Sequence, residues 1–449
     1  MSSNGRGQWQ SRFGFIAAAA GSAIGLGNIW RFPYITGVYG GGAFVLLYLI
    51  ILLFFGIPIL NSELLLGRKS QKNAVGAFRT LAPGTPWSIV GWMGVAAAFI
   101  ILAFYSVVAG WAVAYIFKVG AYMAQGANHA DLFVGHITST AAPLIWHAVF
   151  MAMTIGIVML GVEKGIERYS KSLMPVLVGI MIVLIVRSIT LPGATAGLEF
   201  YLKPDFSKIT GEAILAALGQ VFFSLSLGMG CMITYGSYLS KKEDIPMNSI
   251  YIAGADTLIA LLAGFAIFPA VFAFGMEPAA GPGLTFITVP AVFNAMGPVG
   301  IFFGILFFLL LTIAALTSAI SLLEVVTAYF IDEAKWDRKK AAVIIGIIIF
   351  LLGIFPSLGY SVLSHVNIIG PRDILDSYDF LASNILLPLG GMLMAIFIGW
   401  FWGVDKAIEE ANEGAGSYKL GSLYAFVIKY IAPIGIFIVF LNSIGILKF

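Results

Sequence analysis

Gly21-Ser22-Ala23-Ile24-Gly25-Leu26-Gly27-Asn28 packs three glycines into eight residues of a stretch that is otherwise apolar enough to cross a membrane. Each glycine costs about 1 kcal/mol of helix stability relative to alanine, so a helix entering this stretch is poised to break. A break at mid-membrane depth frees backbone N–H and C=O groups, which must face a cavity, another protein group or a ligand. Freed carbonyls suit a dehydrated cation, and helix N-termini suit a carboxylate. Gly21 and Gly25 also form a G-x-x-x-G pair, which close helix packing alone would explain. A second glycine break argues for more than packing. Ser224-Leu225-Ser226-Leu227-Gly228-Met229-Gly230 interrupts the sixth apolar stretch, five spans after the first. Paired interruptions at corresponding places in two halves point to a transport site between inverted repeats.

The rest of the chain fits that frame. Of 449 residues, 60% are hydrophobic and only 10% charged, against about 25% charged in soluble domains. Eleven apolar spans are read, at roughly 11–36, 41–67, 88–121, 142–161, 166–190, 211–239, 248–275, 298–331, 340–356, 375–402 and 420–447. The expected fold is all-α and integral to the membrane: one transporter domain over 1–449, a first repeat over 11–190, an inverted second repeat over 211–402, and an eleventh helix at 420–447. Most of the 25 Lys and Arg residues fall in alternate loops, among them Arg68, Lys69, Lys72, Lys164, Arg168, Lys241, Lys242, Arg338, Lys339 and Lys406. The positive-inside rule then predicts a cytoplasmic N-terminus, an external C-terminus and residence in the cell membrane. Segment 276–297, rich in Pro and Gly, is expected to form a structured external lid. The single cysteine, Cys231, rules out an internal disulfide. A net charge of +3 without a basic patch gives no reason to expect a nucleic-acid partner.

Five motifs carry a resemblance. GSAIGLGNIWRFPY (Gly21–Tyr34), GGGAFVLLYLIILLFFGIP (Gly40–Pro58), GQVFFSLSLGMG (Gly219–Gly230), ALTSAIS (Ala315–Ser321) and FWGVDKAIEEANEG (Phe401–Gly414) resemble the neurotransmitter:sodium symporters in order and spacing. The likeness is greatest to bacterial members that carry several hydrophobic amino acids. The rule about paired helix breaks was itself drawn partly from this family. Many members have twelve spans, and eleven are read here.

The resemblance implies two sodium sites. One would use the Ala23 carbonyl, the Asn28 side-chain oxygen, Ser224 and Asp256, completed by the substrate carboxylate. The other would use the Gly21, Ile24 and Ala314 carbonyls with the Thr317 and Ser318 hydroxyls, although such hydroxyls also commonly bond back to their own helix. The substrate carboxylate would meet the Leu26 and Gly27 amides and the Tyr105 hydroxyl, and its amine the Ala23 and Phe223 carbonyls and Ser226, with Gly25 and Ser224 also lining the substrate pocket. The side-chain pocket would be Ile101, Tyr105, Phe223, Met229, Ser318 and Leu322, which is uncharged and therefore suits a neutral hydrophobic amino acid. Gly25 stands where monoamine carriers of the family have aspartate, so the substrate is expected to bring its own carboxylate.

Asp256 lies in the middle of the seventh span with no basic residue in that span, where a charge costs at least roughly 2.5 kcal/mol. Chloride-dependent members of the family have asparagine there. Asp256, beside Tyr48, Gln220 and Ser224, is therefore expected to supply the negative charge itself and make transport independent of chloride. The resemblance also implies an outer gate of Arg31 and Asp379 over Tyr105 and Phe223, and an inner gate of Arg6 and Asp332 with Trp9 and Tyr238. Glu63 would hydrogen-bond the break in the sixth span. Gly165 and Pro175, in a Gly-x9-Pro spacing, would let the fifth span unwind, and an ordinary proline kink explains that spacing equally.

Other functions fit less well. A proton-coupled carrier with the same core would be expected to lack the Thr317–Ser318 pair and to place a lysine nearby. A passive channel would need a polar stripe along several helices. His129, His136, His147 and His365 have no metal-ligand spacing, and no Gly-x-x-x-x-Gly-Lys-[Ser/Thr] loop is present, so neither a metalloenzyme nor an ATP-driven pump is expected.

Overall fold

The computed structural model describes residues 7–122, 128–276 and 283–447. These residues form eleven membrane-spanning elements. TM1 is Arg12–Ala23 plus Gly27–Val38, bent by 52° at the break between them. TM2 to TM5 are Gly42–Ser70, Ser88–Gly120, Ala141–Val158 and Val162–Ile189. TM6 is Gly211–Ser224 plus Cys231–Gly236. TM7 to TM11 are Ile245–Ala273, Pro298–Asp332, Arg338–Leu358, Ile374–Asn412 and Ser422–Ser443. The fold is therefore all-α and integral to the membrane, with the broken helices where the glycines predicted them. TM10 runs past residue 402, because Gly403 takes φ +103 and the chain re-enters an amphipathic helix, Val404–Asn412.

Local chemistry sets most helix starts. The Ser11 hydroxyl caps TM1 by accepting from the Gly14 amide, and Asp244 caps TM7 by accepting from Met247. Pro298 opens TM8 after Gly297, whose φ of +73 turns the chain. TM3 and TM8 pack along each other as the central pillars, with most of their length buried. Exposed apolar side chains such as Leu53, Phe54, Ile182, Val186, Phe302 and Phe437 lie on the outer helix faces, as lipid contact requires.

Short helices close both ends. At one end, His129–Ile137 and Leu284–Ala295 meet through Phe133 and Phe286, whose rings stack at 5.3 Å against Trp111 and Tyr115 of TM3. The expected lid is thus ordered over its described part, and residues 277–282 lie outside the described residues. At the other end, Arg68 is fully buried. Its Nε binds Glu410 Oε1 at 3.0 Å, and its remaining nitrogens bind the carbonyls of Glu243, Glu410 and Glu413. Lys69 and Lys241 also reach Glu410, at 3.0 and 2.9 Å. The buried carboxylate of Glu410, near the end of TM10, therefore ties TM2 to the loop before TM7, and Arg68 also reaches the loop before TM11.

Candidate functional site

The two breaks face each other at the centre of the bundle. TM1 leaves helical geometry at Ile24, and TM6 does so at Leu225. Gly228 and Gly230 adopt φ +78 and +74, and Ser226 adopts φ +54. Positive φ at a serine is uncommon and mildly strained, which marks the TM6 break as a built feature. Glu63 satisfies one freed group, accepting from the Gly228 amide at 2.6 Å.

A first oxygen cluster forms around Asp256, which is fully buried. Its Oδ1 accepts from the Asn28 amide at 2.7 Å, and its Oδ2 accepts from Ser224 at 2.8 Å and Tyr48 at 3.4 Å. Among the described residues no lysine or arginine comes within ion-pairing distance of it. Asn28 turns its oxygen to the Gly25 amide at 3.0 Å, and its nitrogen faces Asp256. Gln220 donates to the Gly27 carbonyl at 2.9 Å, holding the outer half of TM6 against TM1.

A second cluster lies where TM8 crosses TM1. Thr317 Oγ1 is 3.0 Å from the Ala314 carbonyl and 3.5 Å from that of Ile24. Ser318 Oγ is 2.9 Å from the Ser22 carbonyl, 3.3 Å from Ile24 and 3.5 Å from Gly21. Thr317 also bonds back to Ile313 at 3.2 Å. One hydroxyl proton serves one acceptor at a time, so the remaining carbonyl lone pairs converge on a small volume without a proton. Such a set of hard, neutral oxygens suits sodium.

Between the clusters lies a cavity of about 20 Å³ lined by Ser22, Ala23, Gly25, Leu26, Gly27, Ile101, Tyr105, Phe223, Ser226, Met229, Ser318 and Leu322. Every pocket residue expected from the sequence lines it except Ser224, which joins the first cluster instead. The volume holds about one water, so the walls are drawn in around the site. The Leu26 amide donates to the Tyr105 hydroxyl at 3.1 Å. Ser226 donates to the Ser22 carbonyl at 2.9 Å, and the Ser22 hydroxyl donates to Ser321 at 2.7 Å. Ser22 and Ser321 were not singled out from sequence, although both sit inside the quoted motifs.

Leu26, Tyr105 and Phe223 separate this cavity from an outer vestibule of about 370 Å³, which they also line. Arg31 lies in the vestibule wall, 5.0 Å above the Phe223 ring. Asp379 lines the same vestibule and accepts from Ser383 at 2.6 Å, but no ion pair joins it to Arg31. The expected outer pair therefore faces across an open space. A further cavity of about 430 Å³ lies beyond Arg31, against TM6, TM10 and TM11.

The opposite end is shut. Trp9 donates to the Tyr235 carbonyl at 3.0 Å and packs edge-on against Tyr235 and Tyr238. Tyr238 donates to Glu324 at 2.6 Å, and Arg338 grips the same carboxylate with two bonds. Asp332 accepts from the backbone and side chain of Asn73. Arg6, its expected partner, lies outside the described residues. In TM5, Gly165 sits in a π-helical turn, Val162–Glu167, where a Cβ would overlap the Ile157 carbonyl, and Pro175 lies within the following helix.

Known proteins resemble this chain in sequence and fold. MhsT, solved in complex with L-phenylalanine, is 50% identical and superposes with a TM-score of 0.90 over 98% of this chain and 100% of that one. A Bacillus subtilis (strain 168) protein described as the uncharacterized sodium-dependent transporter YhdH is 44% identical over 446 residues, covering 98% of both chains. The human sodium- and chloride-dependent GABA transporter 2 is 26% identical, over 95% of this chain and 78% of its own. The sequence model of the sodium:neurotransmitter symporter family matches residues 6–125 and 133–448. With that match spanning nearly its whole length, the chain belongs to the sodium:neurotransmitter symporter family and is a multi-pass, sodium-coupled membrane transporter.

Proposed function

We propose that the protein imports neutral, hydrophobic L-amino acids together with sodium, by alternating access and without chloride. The observation that carries this is the uncharged central cavity between two oxygen clusters, one of which holds Asp256 without a cationic partner. Two sodium ions would bind, one in each cluster. In the first, the Asn28 amide would turn its oxygen toward the ion. That turn releases the Gly25 amide, so ion entry and reorganisation of the TM1 break occur together. The substrate carboxylate would take over the Leu26 amide and the Tyr105 hydroxyl, which now bond each other. Its charge would complete the first ion's shell, and the attraction of the two in a low-dielectric site couples their binding.

The side chain would lie among Ile101, Phe223, Met229 and Leu322, where flexible Met229 lets the walls part to different extents. The L-phenylalanine bound by MhsT supports this assignment. Closure then pairs Arg31 with Asp379 above Phe223, and the Trp9 contacts release below. Asp256 keeps its charge through the cycle, so chloride has no place to fill. The N-terminus would face the cytoplasm of a cell-membrane carrier, as the loop charges indicate.

Uptake of labelled amino acids into proteoliposomes, with sodium, potassium and proton gradients imposed separately, tests this. Accumulation of Leu, Phe or Trp only under the sodium gradient, equal in chloride and gluconate, is expected. Equal uptake under all three gradients would refute symport.

A further inference from the structure

We infer that Glu167 is a latch that ties the inner half of TM1 to TM5, so that the inner gate and the TM5 cover of the second oxygen cluster open as one unit. The inference deepens the alternating-access reading above and names a positioning residue for it. Glu167 ends the π-helical turn at the start of TM5 and is 1% exposed. Its Oε2 accepts from the Gln10 amide at 2.8 Å. Its Oε1 accepts from the Ser11 hydroxyl at 3.0 Å and pairs with Lys171 at 2.6 Å. The carboxylate therefore bonds the residue after the Trp9 plug and the residue that caps TM1.

Two glycines fit the latch. A Cβ on Gly14 would overlap the Glu167 carboxylate, so TM1 keeps a glycine where its alanine-rich sequence would otherwise strengthen the helix. Two helical turns further along TM5, the Met174 methyl would lie 3.5 Å from a Cβ on Gly21, next to Thr317. TM5 thus covers the Gly21–Thr317 side of the second cluster with Met174 and grips TM1 with Glu167. Ser11 is shared: its oxygen accepts from Gly14 while its proton goes to Glu167. Parting TM1 from TM5 breaks both charge-assisted bonds in one step and leaves the capping Ser11 without its Glu167 tether. The π turn and Pro175 supply the hinge, since both leave helix bonds already weakened.

The test uses the full-length purified protein and E167A, E167Q and G14A variants. The sodium concentration for half-maximal binding of labelled L-phenylalanine is measured alongside hydrogen exchange of Arg12–Ala23 and Val162–Ile189. E167A is expected to raise the half-saturating sodium by about tenfold or more, as loss of two bonds to a charged acceptor biases the carrier to its inner-open form. Binding at saturating sodium should reach the unmodified level, and exchange should rise in both segments together. E167Q, which keeps an acceptor oxygen, should fall between. G14A should act like E167A although alanine strengthens the helix, because its Cβ displaces the Glu167 carboxylate. An unchanged sodium requirement, or exchange rising in one segment alone, would overturn the latch. If the unmodified protein binds no L-phenylalanine, the substrate reading fails, and the paired exchange result still decides the latch.

Discussion

Replacing Asp256 with asparagine isolates the charge from the shape of the first cluster. The two side chains are nearly isosteric. The asparagine oxygen can keep the bond from Asn28, and its nitrogen would face the Ser224 and Tyr48 hydroxyls, which can rotate to accept. Packing and hydrogen bonding survive, so the change in ion affinity is electrostatic. A sodium ion held by Asn28 and Ser224 would sit about 4 Å from the lost charge. At an effective dielectric of about 20 that is roughly 4 kcal/mol, or on the order of a thousandfold in sodium affinity. Relaxation of the surrounding dipoles lowers this, and a rise of about one hundredfold or more in the half-saturating sodium is expected. The assay is sodium-driven uptake into proteoliposomes, in gluconate and in chloride. D256N should be nearly inactive in gluconate at sodium levels that saturate the unmodified protein, and chloride should restore part of the loss by lending its own charge. Uptake by D256N that matches the unmodified protein in gluconate, with the same sodium requirement, would refute the argument that Asp256 stands in for chloride.

Three further outcomes follow from the geometry. Gly25→Ala should weaken substrate binding at least about tenfold while leaving the fold intact, because its Cβ would overlap the Ser318 hydroxyl and approach that of Tyr105 to 2.8 Å; binding at unmodified affinity in a scintillation assay would contradict the tight approach. Arg68→Ala leaves Glu410 buried beside two half-exposed lysines and is expected to cost about 3–5 kcal/mol, read as a lower midpoint in thermal unfolding of the detergent-purified protein. Burial, and then the ammonium of Lys118 at 2.8 Å, push the His136 imidazole down to about 4, so the folded protein keeps it neutral while an opened loop would protonate it near 6.5. Its stabilising contribution is therefore complete above about pH 6.5 and is lost as pH falls toward 4, so the protection of the His129–Ile137 amides, corrected for the intrinsic exchange rate at each pH, should fall over that interval, and H136Q should reduce the dependence to what His129, also pushed down by burial, supplies.

What could be read without coordinates divides along a physical line. Functions carried by backbone are written in local sequence, because a helix breaks where glycine cannot support it. Residues 21–28 therefore announced both the break and the groups it frees, while the pocket list, which the family resemblance implied, falls on one cavity with Ser224 the sole exception. The same octapeptide supplies Gly21 and Ile24 to one cluster and Asn28 to the other, within about 10 Å of helical rise, or roughly two turns. That shared origin would couple the reorganisation of the two clusters, as the proposed mechanism requires. Functions carried by contacts between helices are not local. Glu167 in TM5 looks like any acid in the charged stretch Glu163–Lys171, and only the register of TM1 against TM5 puts it opposite Gly14. Glu410 belongs to a motif whose sequence shows a charged amphipathic turn, and only the packing buries it against Arg68. Arg31 and Asp379 differ again: both line the vestibule without forming an ion pair, and in the proposed cycle they pair only on closure. Sequence thus specifies where the chain must bend, whereas the proposed coupling of the gates rests on long-range contacts such as that of Glu167 with Gln10 and Ser11.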